Sequence, residues 1–410
     1  MGKQKRAPRP AHVDERPATA EGFADAMLAA AYDTARGVPG AAGKGASRLA
    51  PDFDLPAELA HGAELAGQRL IGRACRGGWL PEDLHQAIRR RVDEFAGSYV
   101  LDTLAAYAGQ FAPAAVHPEW RDQLGEAGAV RWWAKSGPHL PQWAAKHILT
   151  PAEAVTAVIE ALALLTTLPE ITTVLPAPGT VLRPRPAGHH AVDEKKLSRV
   201  RALLAKAESS SFPEEAETLS AKAQELMTRH ALDRVLVEAG AAVPDAPAAR
   251  RLWLDTPYLD AKSLLVHVVA KANRCPAVFD PRWGFATVVG DEADLDSVAL
   301  LTTSLLVQAT RAMIAGGQAD RGRRSREFRQ SFLVSYATRI GERLEKAAET
   351  TLAESPDQAN LLPVLASHEK KVATTFATLF PEVVTKSVTV RSHDGWGAGR
   401  AAADRARLPG

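Results

Sequence analysis

Apolar residues recur every three to four positions along most of this chain, and this spacing predicts a mainly helical protein. The clearest N-terminal runs are 57–75, 81–95 and 152–168. Two of these runs begin with helix-start chemistry, because Pro81 suits a first helical turn and Thr150 with Glu153 has the spacing of a capping box. We therefore expect a helical domain at 23–175.

The pattern changes after residue 250, where short alternating runs predict strands among the helices. A first strand is expected at 251–254. The runs 275–279 and 285–289 flank a turn with proline and glycine, which predicts a β-hairpin, and a long helix should follow at 290–313. The order strand, helix, hairpin, helix predicts a small α+β unit at 251–408.

Further helices are expected towards the C-terminus. Within 327–352, large apolar side chains stand at successive four-residue steps and mark a buried face. They are Phe328, Phe332, Tyr336, Ile340 and Leu344. Helices are also predicted at 364–379 and 397–408, and β character at 383–391. The fold class is thus mainly α, with a small α+β C-terminal unit in which a short β-hairpin sheet packs on helices.

The strongest local signal is an antiparallel helical hairpin within 194–239. Apolar residues fall on one face of each of two helical runs, and small residues allow the two helices to approach closely. Between the runs, Ser211 and Glu214 have capping-box spacing and start the second helix, with Pro213 in its first turn.

This hairpin resembles the domain of unknown function (DUF) 2786 of bacterial and phage proteins. The matching residues are Lys195, Leu203, Leu204, Lys206–Glu208, Phe212–Ala216 and Ala223–Met227. Downstream, Val289–Asp294, Ser331–Leu344 and Gly395–Arg400 are similar to the C-terminal part of such proteins, so the resemblance extends to about residue 408. It implies an architecture rather than an activity.

The length of 410 residues predicts two or three domains. Pro- and Gly-rich composition at 176–193 indicates a linker between the helical domain and the hairpin. Residues 1–22 are basic, lack periodicity and are expected to be a disordered tail. Two lone cysteines exclude a disulfide scaffold, and the absence of a secretory or membrane-spanning pattern favours the cytoplasm and no membrane association.

Basic charge is concentrated locally, since the formal net charge is only +2. One cluster consists of Arg321, Arg323, Arg324, Arg326 and Arg329. Arg311 precedes this cluster, Arg339 and Arg343 follow it, and glycines interrupt it. Because the guanidinium fork suits phosphate oxygens, the segment is a candidate clamp on a nucleic-acid backbone. The alternative is a solvated loop whose charge only keeps it soluble.

The first hairpin helix is also basic, with Lys195, Lys196 and Arg199 among its cations. These side chains are candidates for phosphate contacts. The alternative is internal, because cations at the end of one helix and acids at the start of the next complement their own helix dipoles.

A third candidate is Gly395-Trp396-Gly397-Ala398-Gly399-Arg400, which follows a strand-like run and opens a helix. Gly397, Gly399 and Arg400 are its candidate phosphate-binding residues, because the first amides of a helix bind anions. The spacing is not that of a dinucleotide fingerprint. A tight turn with Trp396 packed beneath it is the alternative.

No catalytic motif is present, so whether the chain is an enzyme stays open, and no cofactor or metal site is expected. His368-Glu369 lacks the second histidine of HExxH. The acidic residues Asp291, Glu292, Asp294 and Asp296 could bind a metal ion, but carboxylates are favoured in a first helical turn without one. Cys275 is expected to be a small buried hydrophobe rather than a reactive thiol.

Four of the eight tryptophans, at positions 120, 132, 133 and 143, lie close together in the helical domain. They could form a stacking platform, although indoles more often fill a helical core. Our leading hypothesis is a nucleic-acid-associated protein that binds the phosphate backbone of DNA or RNA without reading sequence. The alternatives are a metal-dependent hydrolase, either nuclease or peptidase, and a helical scaffold whose Trp-rich half binds another protein.

Overall fold

The computed structural model has a mainly helical fold with one small antiparallel sheet, which confirms the predicted fold class. It describes residues 17–51, 54–180, 190–209, 219, 222–232, 246–319, 325–354, 358–383 and 392–405. Contacts divide the chain into two compact units, Met1–Arg183 and Pro184–Gly410. We call them unit 1 and unit 2.

Unit 1 is helical throughout its described part. Its helices are α1 Ala20–Ala35, α2 Ala41–Leu49, α3 Ala57–Arg76, α4 Pro81–Arg91, α5 Glu94–Ala108, α6 Pro118–Glu126, α7 His139–His147 and α8 Pro151–Thr167, with a 3-10 turn at Pro113–Ala115. Helix α1 begins at Ala20, within the last residues of the expected tail at 1–22, because the Thr19 side chain accepts a hydrogen bond from the Gly22 amide and caps the helix.

The core of unit 1 forms around α8, ten of whose residues are buried. The predicted capping box starts this helix: the Glu153 amide donates to Thr150 Oγ1 at 3.3 Å, and the Thr150 amide donates to Glu153 Oε2 at 2.8 Å. The hydrogen bonds from Thr150 lower the pKa of the Glu153 carboxyl. Three tryptophans, Trp79, Trp120 and Trp143, are fully buried in the same unit. Core packing therefore accounts for most of the indole-rich sequence.

Unit 2 mixes long helices with three strands. Its elements are α9 His190–Ser209, α10 222–232, β1 Ala248–Trp253, α11 Leu259–Ala272, β2 Ala277–Asp280, β3 Phe285–Gly290, α12 Glu292–Ala319, α13 Arg326–Ala353, α14 Gln358–Leu379 and α15 His393–Arg405. The predicted stripe from Phe328 to Leu344 on α13 is buried. The expected β run at 383–391 and the expected cap at Ser211 lie outside the described residues, apart from Val383.

The sheet has strand order β1-β3-β2 and is antiparallel at both pairings. The predicted hairpin is confirmed, with Ala277 opposite Val288 and Asp280 opposite Phe285. Strand β1 pairs along the other edge of β3, from Ala248 opposite Gly290 to Trp253 opposite Phe285. Every residue of β3 is buried, because this strand lies in the centre of the sheet.

The helical hairpin and the α+β unit, which were predicted as separate domains, share one hydrophobic core. Val200 and Leu204 of α9 and Ala223 and Met227 of α10 belong to the same buried cluster as α11, α12 and α13. Gln224 of α10 is fully buried, and its amide nitrogen donates to Asn273 Oδ1 at 3.3 Å. The apolar faces of α9 and α10 are therefore covered by the other helices of unit 2.

Within α12, the stretch Glu292–Ile314 is long and apolar enough to cross a membrane, and a bent helix pair in unit 1, His139–His147 with Pro151–Thr167, passes the same test. Both are weak indications, because core helices have the same composition. Val298, Leu301 and Leu305 of α12 are buried in the core of unit 2.

Candidate nucleic-acid interface

Helix α9 has one buried face and one basic exposed face. Val200, Leu204 and Ala207 are buried, whereas Arg199 and Arg201 are exposed. Lys195 and Lys196 lie in the same helix, but their side chains are outside the described part of the structure. Helical spacing thus places the apolar residues of α9 in the core and leaves Arg199 and Arg201 exposed to water.

Arg311 of α12 contacts the last turn of α9. Helix α12 precedes the arginine cluster in the sequence. The guanidinium Nη1 of Arg311 donates to the carbonyl oxygen of Glu208 in the last turn of α9. Carbonyls in the last turn of a helix have no partner within the helix, and a cation there is favoured by the dipole. The C-terminal end of α9 therefore lies beside α12 shortly before residue 319.

Only part of the arginine cluster lies in the described structure. Arg321, Arg323 and Arg324 are outside it. Arg326 is exposed and Arg329 is half-buried at the start of α13, where Ser325 caps the helix by accepting from the Phe328 amide at 3.1 Å. Neither Arg326 nor Arg329 forms an ion pair with another described residue.

Other arginines of unit 2 are held by internal partners. Arg339 of α13 pairs with Glu342 and Asp404, Arg400 of α15 pairs with Glu342 at 3.1 Å, and Arg343 donates to the Ala403 carbonyl. The hydrogen bond from Arg339 lowers the pKa of the Glu342 carboxyl. These side chains hold α13 against α15, so the expectation that Arg339 and Arg343 extend the basic cluster is corrected.

The glycine motif near the C-terminus also has a packing role. Helix α15 begins at His393, so Gly397 and Gly399 come after its first turn and do not present free amides. A Cβ atom on Gly399 would lie 2.1 Å from the Phe332 carbonyl oxygen, and one on Gly395 would lie 2.5 Å from that of Phe328. Gly395 and Gly399 therefore let α15 approach the backbone of α13. The expected phosphate loop at Gly397, Gly399 and Arg400 is replaced by a helix contact.

The acidic residues at the start of α12 have separate partners. His368 Nε2 of α14 lies 2.7 Å from Asp291 Oδ2, and Arg250 of β1 pairs with Asp296. Among the residues that the structure describes, no three His, Cys, Asp or Glu side chains come together as a metal site would require. Two of the carboxylates named for a metal-dependent hydrolase, Asp291 and Asp296, thus link α14 and β1 to the start of α12.

A buried polar network in unit 1 was not foreseen from the sequence. His139 Nε2 of α7 lies 2.8 Å from Asp102 Oδ2 of α5, and both side chains are buried. The indole Nε1 of Trp132 donates to both oxygens of Asp102, at 3.0 and 2.9 Å. The missed signal is the four-residue spacing of Ser98 and Asp102 on α5, matched by that of His139, Trp143 and His147 on α7.

The second rung of this network involves Ser98 and His147. Ser98 Oγ lies 3.1 Å from His147 Nε2 and accepts from Trp143 Nε1 at 3.2 Å. Burial, and then the neighbouring Lys146, lower the pKa of His147. Two polar side chains of α5 thus contact two histidines of α7, Asp102 with His139 and Ser98 with His147. These contacts, with the bond from Trp132 to Asp102, fix α7 and the loop before it on α5.

The fold and these contacts define a mainly helical protein of two units whose second unit contains the helical hairpin. Residues 195–234 match the model of the family described as protein of unknown function (DUF2786), which confirms the resemblance of the hairpin. The match covers Arg199 of the basic helix and the buried Gln224. No curated protein and no solved structure matches the chain.

Proposed function

We propose that this protein binds the phosphate backbone of nucleic acid through a basic surface of unit 2. The contact between Arg311 and Glu208 is the observation that carries the proposal. It brings the C-terminal end of the basic helix α9 beside α12, and Arg321, Arg323 and Arg324 follow α12 in the sequence. Our proposal is that these two cation-rich segments, about a hundred positions apart in sequence, act together on the phosphate backbone.

The exposed side chains support contacts with polyanions. Arg199, Arg201 and Arg326 are exposed to water, and arginine binds phosphate oxygens through a planar fork of donors. A protein that neutralises phosphates releases counterions, so its affinity falls as salt rises. The net charge of +2 means that attraction would come from this local surface rather than from the whole molecule.

Salt dependence of binding tests the proposal. We expect the full-length protein to bind duplex DNA with an affinity that falls steeply between low and physiological salt, by a slope of about 0.9 per neutralised phosphate. Substitution of Arg326 and Arg329 by alanine should lower both the affinity and that slope. Fluorescence anisotropy with labelled DNA measures both quantities.

A matched control removes the same charge elsewhere. Arg89 and Arg121 are exposed arginines of unit 1, and their double substitution by alanine changes the net charge equally. We expect this variant to retain most of the wild-type affinity. An affinity that does not change with salt, or equal losses in the two double variants, would overturn the proposed surface.

A further inference from the structure

Trp132 differs from the other tryptophans of its cluster because it is not part of the core. Its side chain is 39% exposed, whereas Trp120 and Trp143 are fully buried and Trp133 is 7% exposed. A partly exposed indole contributes less hydrophobic free energy than a buried one, so packing alone does not account for the position of Trp132.

The edge of this exposed ring is fixed from below. Both oxygens of the buried Asp102 accept from the indole Nε1, and His139 holds the same carboxylate. The His139 amide in turn donates to Glu64 Oε1 at 2.8 Å. A buried carboxylate is costly unless it is fully hydrogen-bonded, so this support favours one orientation of the ring.

Cations lie over the two neighbouring indoles of this loop. The Lys146 ammonium lies over the Trp132 ring, 4.0 Å from its centroid, and the Arg131 guanidinium lies over the Trp133 ring, 5.2 Å from its centroid. Lys135, in the same loop as Trp132, is exposed, as are Lys146 and Arg131. The carboxylate that accepts from this indole, Asp102, is buried. The exposed side therefore combines an oriented aromatic ring with positive charge.

From this arrangement we infer that Trp132 is a stacking site for an unpaired base of single-stranded nucleic acid. The base takes the place of the exposed Lys146 ammonium over the ring, and Arg131, Lys135 and Lys146 contact the adjoining phosphates. Stacking on aromatic side chains accepts every base, and a basic surround follows the backbone. The inference rests on the proposed function for its class of ligand. It adds a second site in unit 1 and a preference for unpaired bases.

Two oligomers of equal charge separate stacking from electrostatics. We expect the full-length protein to bind a short oligothymidylate at least about five-fold more tightly than a chain of equal length whose sugars carry no bases. Trp132→Ala should abolish this difference and leave binding of the base-free chain nearly unchanged. Anisotropy of labelled oligomers measures the two affinities, and the quenching of tryptophan fluorescence provides an independent readout.

Tyr32→Ala is the matched control, because Tyr32 is an exposed aromatic residue of the same unit, at 46% exposure. This variant should retain the wild-type preference for bases. Trp132→Phe keeps an aromatic ring but loses the donor to Asp102, so we expect an intermediate preference. If near-ultraviolet circular dichroism shows that the alanine variant has lost its tertiary structure, the phenylalanine variant still tests the inference.

Three results would overturn the inference. The first is a wild-type protein that binds both oligomers equally, and the second is a Trp132→Ala variant that retains the preference. The third is a Trp132→Ala variant whose only defect is weaker binding of a glutamate-rich peptide. The ligand of the Trp132 site would then be an acidic protein segment. Failure of the unit 2 proposal is distinguishable, because the Arg326 and Arg329 double variant would then bind the base-free chain as the wild type does, while the effect of Trp132→Ala on the preference for bases would persist.

Discussion

At the residue scale, the same amino acid has opposite roles according to its neighbours. Arg199 and Arg326 are exposed to water, whereas Arg339 joins α13 to α15 through Asp404, and Arg400 joins the same two helices through Glu342. Gly397 and Gly399 are two positions apart in one helix, yet only Gly399 lies against a neighbouring backbone. Such differences depend on contacts between residues far apart in the chain.

The two glycines provide a matched pair of substitutions. A Cβ at Gly399 would lie 2.1 Å from the Phe332 carbonyl oxygen, so Gly399→Ala should destabilise unit 2 by about 1–3 kcal/mol or more. Nothing lies within 4 Å of a Cβ at Gly397. Gly397→Ala should be neutral or stabilise by about 0.5–1 kcal/mol through helix propensity. Urea unfolding measures both, and equal losses would contradict the helix contact.

Asp102 is expected to be a sensitive position of unit 1. Asp102→Ala leaves the His139 ring and the Trp132 indole without their shared acceptor, and a buried polar group left without its hydrogen-bond partner costs about 1–3 kcal/mol. Asp122→Ala, at an exposed position, should change the free energy of unfolding by about 0.5 kcal/mol or less. Urea unfolding followed by tryptophan fluorescence compares the two. Similar stabilities would argue against the buried network.

The cysteines are expected to be unreactive in the folded protein. Both are buried, and burial raises the pKa of the Cys75 thiol to about 12. Only the thiolate reacts, so Ellman's reagent at pH 8 should modify neither residue in native protein and both in urea. Rapid labelling of Cys75 before unfolding would contradict this burial.

At the element scale, the hairpin helices depend on the rest of unit 2. The buried faces of α9 and α10 pack on α11, α12 and α13 in one cluster, and Gln224 bonds to Asn273 at the end of α11. The stretch that matches the family model therefore contributes to a larger core. Its amphipathic pattern was readable from the sequence, whereas the surface that covers it was not.

A peptide of residues 190–235 tests this dependence. Isolated helices of this length are marginal in water, and most helical stability comes from tertiary packing. We expect the peptide to show weak helical circular dichroism and no cooperative thermal transition. The fragment 190–410 is the control and should unfold cooperatively. A cooperatively folded peptide would show that the hairpin is an independent domain.

At the scale of the whole molecule, each unit has its own core. Contacts separate Met1–Arg183 from Pro184–Gly410, and the buried residues of unit 1 lie around α8 while those of unit 2 lie around α12 and α13. A unit with a separate core is expected to unfold as a separate cooperative system.

We therefore expect fragments 17–180 and 190–410 to fold when expressed separately. The sum of their circular dichroism spectra should equal that of the full chain. In the full chain, Asp102→Ala should shift the thermal transition of unit 1, and Gly399→Ala that of unit 2. Differential scanning calorimetry measures these transitions, and one shared transition displaced by both substitutions would exclude independent units.

Local chemistry determined much of the fold. The four-residue apolar spacing of Phe328 to Leu344 predicted α13, the Thr150 and Glu153 pair predicted the start of α8, and alternation around a Pro/Gly turn predicted the β2–β3 hairpin. Each of these signals involves residues close together in the sequence, so it can be recognised without knowledge of the tertiary structure. Helix ends were less accurate, since α12 extends to Ala319 and α14 begins at Gln358.

Long-range contacts decided the rest. The pairing of Arg339 with Asp404 and of Arg400 with Glu342, the approach of Gly399 to Phe332 and the contacts of Asp102 with His139 and Trp132 each link residues about 30 to 70 positions apart. Charge and periodicity along the chain do not specify which distant side chains meet. By itself the sequence determined where helices, strands and cations occur, and the tertiary structure decided which cations are exposed and which tryptophan is left at the surface, because packing assigns each side chain its partners.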